Sequence, residues 1–310
     1  MIYKKKVLIL SALVILLAVV YALTLFFDPD RVSARDASYV WLDGGLVPQA
    51  DRIEISGSQG ETVLSRINNN WVVSRGGLDY PVKQPRVADL LKLLSDRKSY
   101  PVRAGGESSH ERLGVGEGAS SRIVVRGGPG LPGTERPPLL DLIAGDTDAA
   151  GAVYLRRRGE NEVRSGEDLF SSYINGSASS WYNLRLFPEE GRLEVPSVQQ
   201  IRVIPPDDGR TADWEEDQFT LIRRNDGWVL QDSDQALDTP RVDSYVRAVL
   251  EAEGEDFDSS LNAASPVFTS GRIILELGDG SSRTLRAGPG GDQNRRGVVV
   301  SGSSFVYSLA

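Results

Sequence analysis

Between residues 7 and 27 the chain carries no charge, and only Ser11, Tyr21 and Thr24 interrupt a run of aliphatic and aromatic side chains. At about 1.5 Å of rise per residue, a helix over this run is roughly 30 Å long, which matches the hydrocarbon core of a bilayer. Each Leu, Ile, Val or Phe in it favours insertion by about 0.3 to 0.6 kcal/mol. Lys4, Lys5 and Lys6 precede the run, and Asp28 and Asp30 follow it. The positive-inside rule therefore predicts residues 1–6 in the cytoplasm, 7–27 as a transmembrane signal anchor and everything later outside the cytoplasm. A cleaved signal peptide is the competing reading, since Val20-Tyr21-Ala22 is a passable cleavage site. The apolar stretch continues to Phe27, further than a signal peptide needs, and this favours the uncleaved anchor.

Beyond the anchor the pattern changes to period two. Ile53 and Ile55, and later Ile201 and Val203, alternate with polar residues as half-buried strands do. Each of these strands precedes a hairpin whose turn is Asn-rich (68–70) or Asn-Asp-Gly (225–227) and whose second strand carries Trp71 or Trp228. Pro85 and Pro240 then suit the first turn of a helix. The apolar residues after them (Val87, Leu90, Leu91, Leu94; Val242, Tyr245, Val246, Val249, Leu250) follow helical spacing. Strands predicted at 123–125, 139–143 and 153–155 have counterparts at 273–277, 284–286 and 298–300.

The two sets read as copies. Residues 63–73 and 220–230 share five identities in eleven positions, the Trp included. Pro85-Arg86-Val87 matches Pro240-Arg241-Val242, Arg122-Ile123 matches Arg272-Ile273, and Ala144-Gly145 matches Ala287-Gly288, always in the same order. The predicted class is α+β: an N-terminal transmembrane helix followed by two repeated modules, each an antiparallel sheet with one helix. The expected divisions are a juxtamembrane segment (28–50), a first module (51–170), an aromatic connector (171–196) and a second module (197–310). Phe170, Tyr173, Trp181, Tyr182, Leu186 and Phe187 make the connector region too apolar for a free linker, so they are expected to pack against the modules. Trp71 and Trp228 are expected to anchor the two sheets.

These features together resemble a known group. The Asn-Asn-Asn-Trp71-Val-Val strand, the Pro85 helix, the Glu111-Arg112-Leu113-Gly114-Val115 turn, the strand pair closing at Gly145 and the aromatic connector are similar to bacterial membrane-anchored proteins of the domain-of-unknown-function 4340 family. The similarity spans most of residues 50–310. It departs where Arg112-Leu113-Gly114-Val115 stands in place of the family's common aromatic residue before a Gly-Leu pair. The resemblance implies an extracytoplasmic accessory protein of the bacterial inner membrane, of a kind often encoded beside ABC-type exporter permeases and gliding-motility-type transporter auxiliaries. It implies no catalytic residues.

Composition narrows the chemistry. The sequence has no Cys, one Met and one His, which excludes disulfide scaffolds, thiolate zinc sites, cysteine nucleophiles and multi-histidine triads. Setting aside the three N-terminal lysines, the formal charge of −8 becomes −11 for residues 28–310, so nucleic acid is not an expected partner.

Individual candidates favour the plainer reading. His110, with Glu107 and Glu111, is a weak metal candidate and reads better as a solvated loop residue. The acidic stretches 207–217 and 251–258 lack the spacing of a calcium loop and read as solvated charge runs. Gly114-Val115-Gly116-Glu117-Gly118 and Gly288-Pro289-Gly290-Gly291 lack a phosphate cradle's setting and read as turns. Ser177 lacks the surroundings of a nucleophile elbow. Arg156, Arg157, Arg158 and Arg164 form a local basic patch that would suit an anionic headgroup or acidic partner, although an exposed Arg-decorated hairpin is the simpler account.

The sequence thus predicts a non-enzymatic, membrane-anchored interaction protein with no catalytic, cofactor-binding or metal residue and no cofactor. Its expected partners are proteins such as an ABC-type permease or envelope complex. The alternative is a glycan- or lipid-binding module that uses Trp181 and Tyr182 beside a groove. A carboxylate acid-base enzyme ranks third, because no paired carboxylates stand out at strand ends.

Overall fold

The computed structural model describes residues 14–17, 19, 21, 38–75, 77–119, 121–128, 137–187, 193–205, 218–225, 227–233, 235–269, 271–291 and 295–309. Residues 14–17, 19 and 21 are helical, and the rest of the expected anchor lies outside the described residues, as does the acidic stretch 207–217. Among the described residues no helix is long and apolar enough to cross a membrane. The fold is α+β and dominated by antiparallel sheet. The chain divides into two compact units, one of residues 1–71 and 84–178, the other of 72–83 and 179–310.

The first half of the chain forms β1 (Ser38–Tyr39), β2 (Ala50–Gly57), β3 (Gly60–Ile67), β4 (Asn70–Arg75), β5 (Leu78–Pro81), α1 (Gln84–Ser95), β6 (Lys98–Ser99), β7 (Val102–Ala104), β8 (Ser121–Gly127), β9 (Leu140–Thr147), β10 (Val153–Arg157) and β11 (Val163–Ser165). Within the first unit the strands run in the order β3-β2-β8-β9-β10-β11-β7. Cross-strand rows such as Ile53–Val125–Leu140 and Ile55–Ile123–Leu142 are buried on one face. The β3–β4 turn places Asn68 at φ 49° and Asn69 at φ 71°, the left-handed region that Asn tolerates and that a two-residue mirror-image turn requires. Helix α1 buries Val87, Leu90, Leu91, Leu93 and Leu94.

The opposite sheet face carries a charge lattice. Glu54 accepts from Arg52 Nε (2.7 Å) and Arg126 Nε (3.2 Å), and Asp141 accepts from Arg122 Nε (2.6 Å). Burial alone would raise the Glu54 carboxyl, yet the two arginines outweigh it and hold the group below its ordinary value.

The second half forms β12 (Val198–Ile204), β13 (Phe219–Arg224), β14 (Gly227–Leu230), α2 (Thr239–Leu250), β15 (Asp256–Phe257), β16 (Gly271–Leu277), β17 (Ser282–Pro289), β18 (Arg296–Val300) and β19 (Tyr307–Leu309). Their sheet order is β14-β13-β12-β16-β17-β18-β19-β15, antiparallel throughout. Asp238 caps α2 by accepting from the Arg241 N–H at 3.2 Å, and Pro240 sits in the first turn. Tyr80 of β5 packs in this unit against Tyr182 (ring centroids 5.5 Å apart) and Phe257 (4.9 Å), and Phe257 in turn meets Phe305 and Tyr307. On the other side of the sheet Phe268 is fully buried with Ala263, Val299 and Val306. It lies so close that a Cβ on Gly288 or Gly297 would come within 2.9 or 2.8 Å of its ring.

Candidate functional site

The helix of the second unit covers its sheet incompletely, and the reason is visible residue by residue. Counting from the helix proline, Leu93 in α1 and Ala248 in α2 hold the same place, eight residues after Pro85 and Pro240. Leu93 is buried, whereas Ala248 is exposed. The last turn of α2 therefore presents Ala248 and Val249, with Ala252 just beyond, where longer side chains would fill the space.

What results is a pocket of about 560 Å³. Its floor is made by Val203 and Ile204 of β12, Ile273 of β16, Leu285 and Ala287 of β17, Val298 of β18 and Leu309 of β19. Ala248, Val249, Ala252 and Leu186 form the helix side. Its volume lies in the range of small-molecule sites, roughly 300 to 1,000 Å³. Arg272 is the one titratable residue in the lining. The lining thus has no carboxylate, imidazole or hydroxyl to move a proton, and what it can do chemically is hold hydrocarbon, at about 25 cal/mol for each Å² removed from water.

Two further pockets are polar. One, of about 350 Å³ in the second unit, is lined by Arg185, Glu194, Arg247 and Glu251 among others. The other, of about 480 Å³ in the first unit, lies beside Trp41, Asp43, Arg97 and Arg157. Their charged walls make neither suitable for an apolar guest.

Several residues expected at the surface are found inside. His110 is buried with 6% exposure, and its Nε2 lies 3.0 Å from the Asn161 carbonyl. A carbonyl only accepts, so Nε2–H donates and the ring is a fixed structural element, not a solvated loop residue. Arg156 is 3% exposed and spends its donors on Val115 O (2.8 Å), Glu160 O (3.1 Å) and Glu117 Oε1 (2.8 Å). Arg164 reaches Tyr100 O (3.0 Å) and Glu162 Oε2 (2.6 Å) and lies 4.2 Å over the Tyr39 ring. Arg157 donates to the Trp41 carbonyl. Of the basic patch expected at Arg156–Arg158 and Arg164, Arg156 and Arg164 are therefore buried struts, whereas Arg157 is half-buried and Arg158 is exposed. Glu117, held below its ordinary value by the Arg156 hydrogen bond, serves both Arg156 and Arg158.

The connector aromatics are buried as expected: Trp181 and Tyr182 at 0% and 1% exposure, with Phe170, Tyr173, Leu186 and Phe187 also enclosed. That burial removes Trp181 and Tyr182 as a stacking surface for a sugar. Trp71 and Trp228 are likewise buried in their sheets. Glu253 pairs with Arg185 at 3.0 Å and Glu255 with Arg295 at 3.6 Å. Among the described residues no group of three or more His, Asp or Glu is placed to hold a metal ion. Residues 114–118 form turns as expected, but Gly288 and Pro289 are the last residues of β17, and only Gly290 and Gly291 lie beyond the strand. Gly114 ends a short helical turn at φ 69°, and the Gly291 N–H donates to Asp258 Oδ2 at 2.7 Å. Sequence reasoning missed the apolar pocket, although the Leu93-to-Ala248 difference was there to be read.

The sequence pattern of the family described as domain of unknown function DUF4340 matches residues 71–267. That is more than half of the chain, and the protein belongs to this family. No curated protein and no solved structure matches it.

Proposed function

We propose that this protein is a single-pass, membrane-anchored extracytoplasmic accessory protein that acts by binding, and that its second unit holds an apolar ligand, an acyl chain. The pocket beneath α2 is the observation that carries the reading: it is of ligand size, apolar, and free of groups that move protons. The charge-free run 7–27 supports the anchor, with the N-terminus in the cytoplasm, and an anchor would keep the pocket near a supply of lipid. Sequence matches and similar strand orders, β3-β2-β8-β9-β10 and β13-β12-β16-β17-β18, support the two units being copies of one module. In this reading the second copy exchanged a full core under its helix for a site.

The partner in this proposal is a protein of the inner membrane, an ABC-type transporter or other envelope machine, for which confinement by the anchor raises effective concentration. Photolabelling of the full chain in nanodiscs with a diazirine-bearing hydrocarbon tests the pocket. Label should map to peptides of α2, β16 and β17, and label confined to residues 7–27 would refute the site. Crosslinking in native membranes tests the partner, and recovery of free monomer alone counts against it.

A further inference from the structure

The first unit shows what belongs in the place of the pocket, because the register of the two sheets matches their residues. Leu155 stands opposite Ala144 and Arg164, as Val298 stands opposite Ala287 and Tyr307. Ile55 stands opposite Ile123, as Val203 stands opposite Ile273, so Gly57 and Pro205, each two residues further on, also correspond. Beyond the helices Lys98 pairs with Tyr39 and Glu253 with Arg185, at equal distances from Pro85 and Pro240.

After β11 the first unit continues into a short 3-10 turn (Asp168–Ser172) and on to Gly176. A Cβ on Gly166 would come within 2.4 Å of Leu155 Cδ1 and 3.2 Å of Phe170 Cδ2, which places the buried Phe170 beside Leu155. A Cβ on Gly57 would come within 2.0 Å of the Ile174 carbonyl oxygen. Between these points Arg86 of α1 donates to the Ser172 carbonyl at 2.6 Å and lies 4.9 Å over the Tyr173 ring. The residues that match Leu155 and Gly57 are Val298 and Pro205, and both line the pocket, as does Ala248 in the place of Leu93. The pocket of the second unit is thus the place that Phe170–Ile174 hold in the first.

The flank of α2 beside it is bare as well. Arg241, Tyr245 and Ala248 share one helical face and stand at the places of Arg86, Leu90 and Leu93. Leu90 and Leu93 are buried, whereas Tyr245 and Ala248 are exposed. Arg241 is exposed, and its side chain meets no acceptor among the described residues. A cation, an aromatic ring and an apolar hollow are therefore set out where the first unit grips a stretch of its own chain. The cation complements a backbone carbonyl and the face of an aromatic ring, which Arg86 takes from Ser172 and Tyr173.

We infer that the partner protein docks on this flank of α2, through a short segment that puts an aromatic side chain into the pocket and a carbonyl on Arg241. This rests on the pocket reading above, and the segment needs the same volume as an acyl chain, so docking releases the chain.

The test uses the full chain in phosphatidylcholine nanodiscs and a synthetic peptide of residues 166–176, with a diazirine-bearing phenylalanine at the position of Phe170. Crosslinked peptides are mapped by mass spectrometry and should lie in α2 and β16–β18. The unmodified peptide should compete, and one with Ala for both Phe170 and Tyr173 should not. R241A should lower crosslinking about tenfold, in keeping with the loss of one charged hydrogen bond. The unmodified peptide should also lower labelling of the pocket by the diazirine-bearing hydrocarbon severalfold. Absence of crosslinks in α2 and β16–β18, equal competition by the Ala peptide, or hydrocarbon labelling that the peptide leaves unchanged overturns the docking assignment. Hydrocarbon labelling of α2, β16 and β17 without the peptide then shows that the pocket reading itself still stands, and its absence that both have failed.

Discussion

Gln84 closes a two-bond ring on the backbone of Trp71: its Oε1 accepts from the Trp71 N–H at 2.9 Å and its Nε2 donates to the Trp71 carbonyl at 2.8 Å. A side chain at the start of α1 thereby takes the place of a neighbouring strand for one residue of β4. In the second unit Thr239, at the start of α2, accepts from the Trp228 N–H at 3.3 Å, a longer and single bond. Gln84→Ala should therefore cost about 1 to 3 kcal/mol, because it leaves two part-buried backbone groups without partners. Thr239→Ala should cost less, about 1 kcal/mol or below. Urea unfolding of both variants measures the difference, and equal losses would contradict the account.

Trp228 is also tied through its ring. Asp243 Oδ1 accepts from Trp228 Nε1 at 2.8 Å and from Arg223 Nη2 at 2.6 Å, while the Arg223 guanidinium lies 4.5 Å over the same indole. Removing the carboxylate leaves a largely enclosed cation and a buried indole N–H together. Asp243→Ala should cost about 3 kcal/mol, and Asp243→Asn, which still accepts from one donor, should cost less. Thermal unfolding ranks the two variants, and the reverse order would show that Asp243 matters for its shape alone.

How much of this was legible in the sequence depends on the range of the interaction. Hairpins, both helices and both buried Trp residues follow from local pattern: Asn at the left-handed turn, Pro in the first helical turn, apolar residues at period two or 3.6. Burial of charged and polar residues was not legible, because their partners are far away in the chain. Arg156 finds Val115 and Glu117, and His110 finds Asn161, across loops of Gly, Ser and Glu that read as solvent-facing. The pattern showed the β3–β4 hairpin but neither β5 nor that its Tyr80 joins an aromatic core with Phe257 and Phe305. The connector Trp181 and Tyr182 were expected to pack, with sugar stacking as the alternative, since aromatic area serves both.

Acid should weaken the second unit through Asp258. Burial would raise this carboxyl, but donors from Ser260, the Gly291 N–H and neighbouring backbone outweigh it and hold the group below its ordinary 3.8. A depressed folded-state pKa adds stability that is fully present above the unfolded value and is lost as pH falls through the folded one. The contribution should thus be intact at neutral pH and decline below about pH 4. Unfolding measured against pH should show a shallower acid slope for Asp258→Asn than for the wild type, and identical slopes would exclude Asp258 as a contributor.

The pocket makes stability and binding move in opposite directions. If Ala248 leaves space that a ligand uses, a larger apolar side chain there should fill that space in the ligand-free protein. Ala248→Leu adds three carbons that would be drawn toward Val203, Ile273 and Leu285, and burying them even in part should stabilise by about 1 kcal/mol. The same carbons occupy the volume an acyl chain needs, so labelling by the diazirine-bearing hydrocarbon should fall severalfold. At the matching place in the first unit Leu93 already fills the core, and Leu93→Ala should destabilise by about 2 to 5 kcal/mol. Melting temperature and probe labelling of A248L and L93A, read together, decide the matter. A248L with lower stability and full labelling would mean that the space under α2 is neither a packing gap nor a binding site.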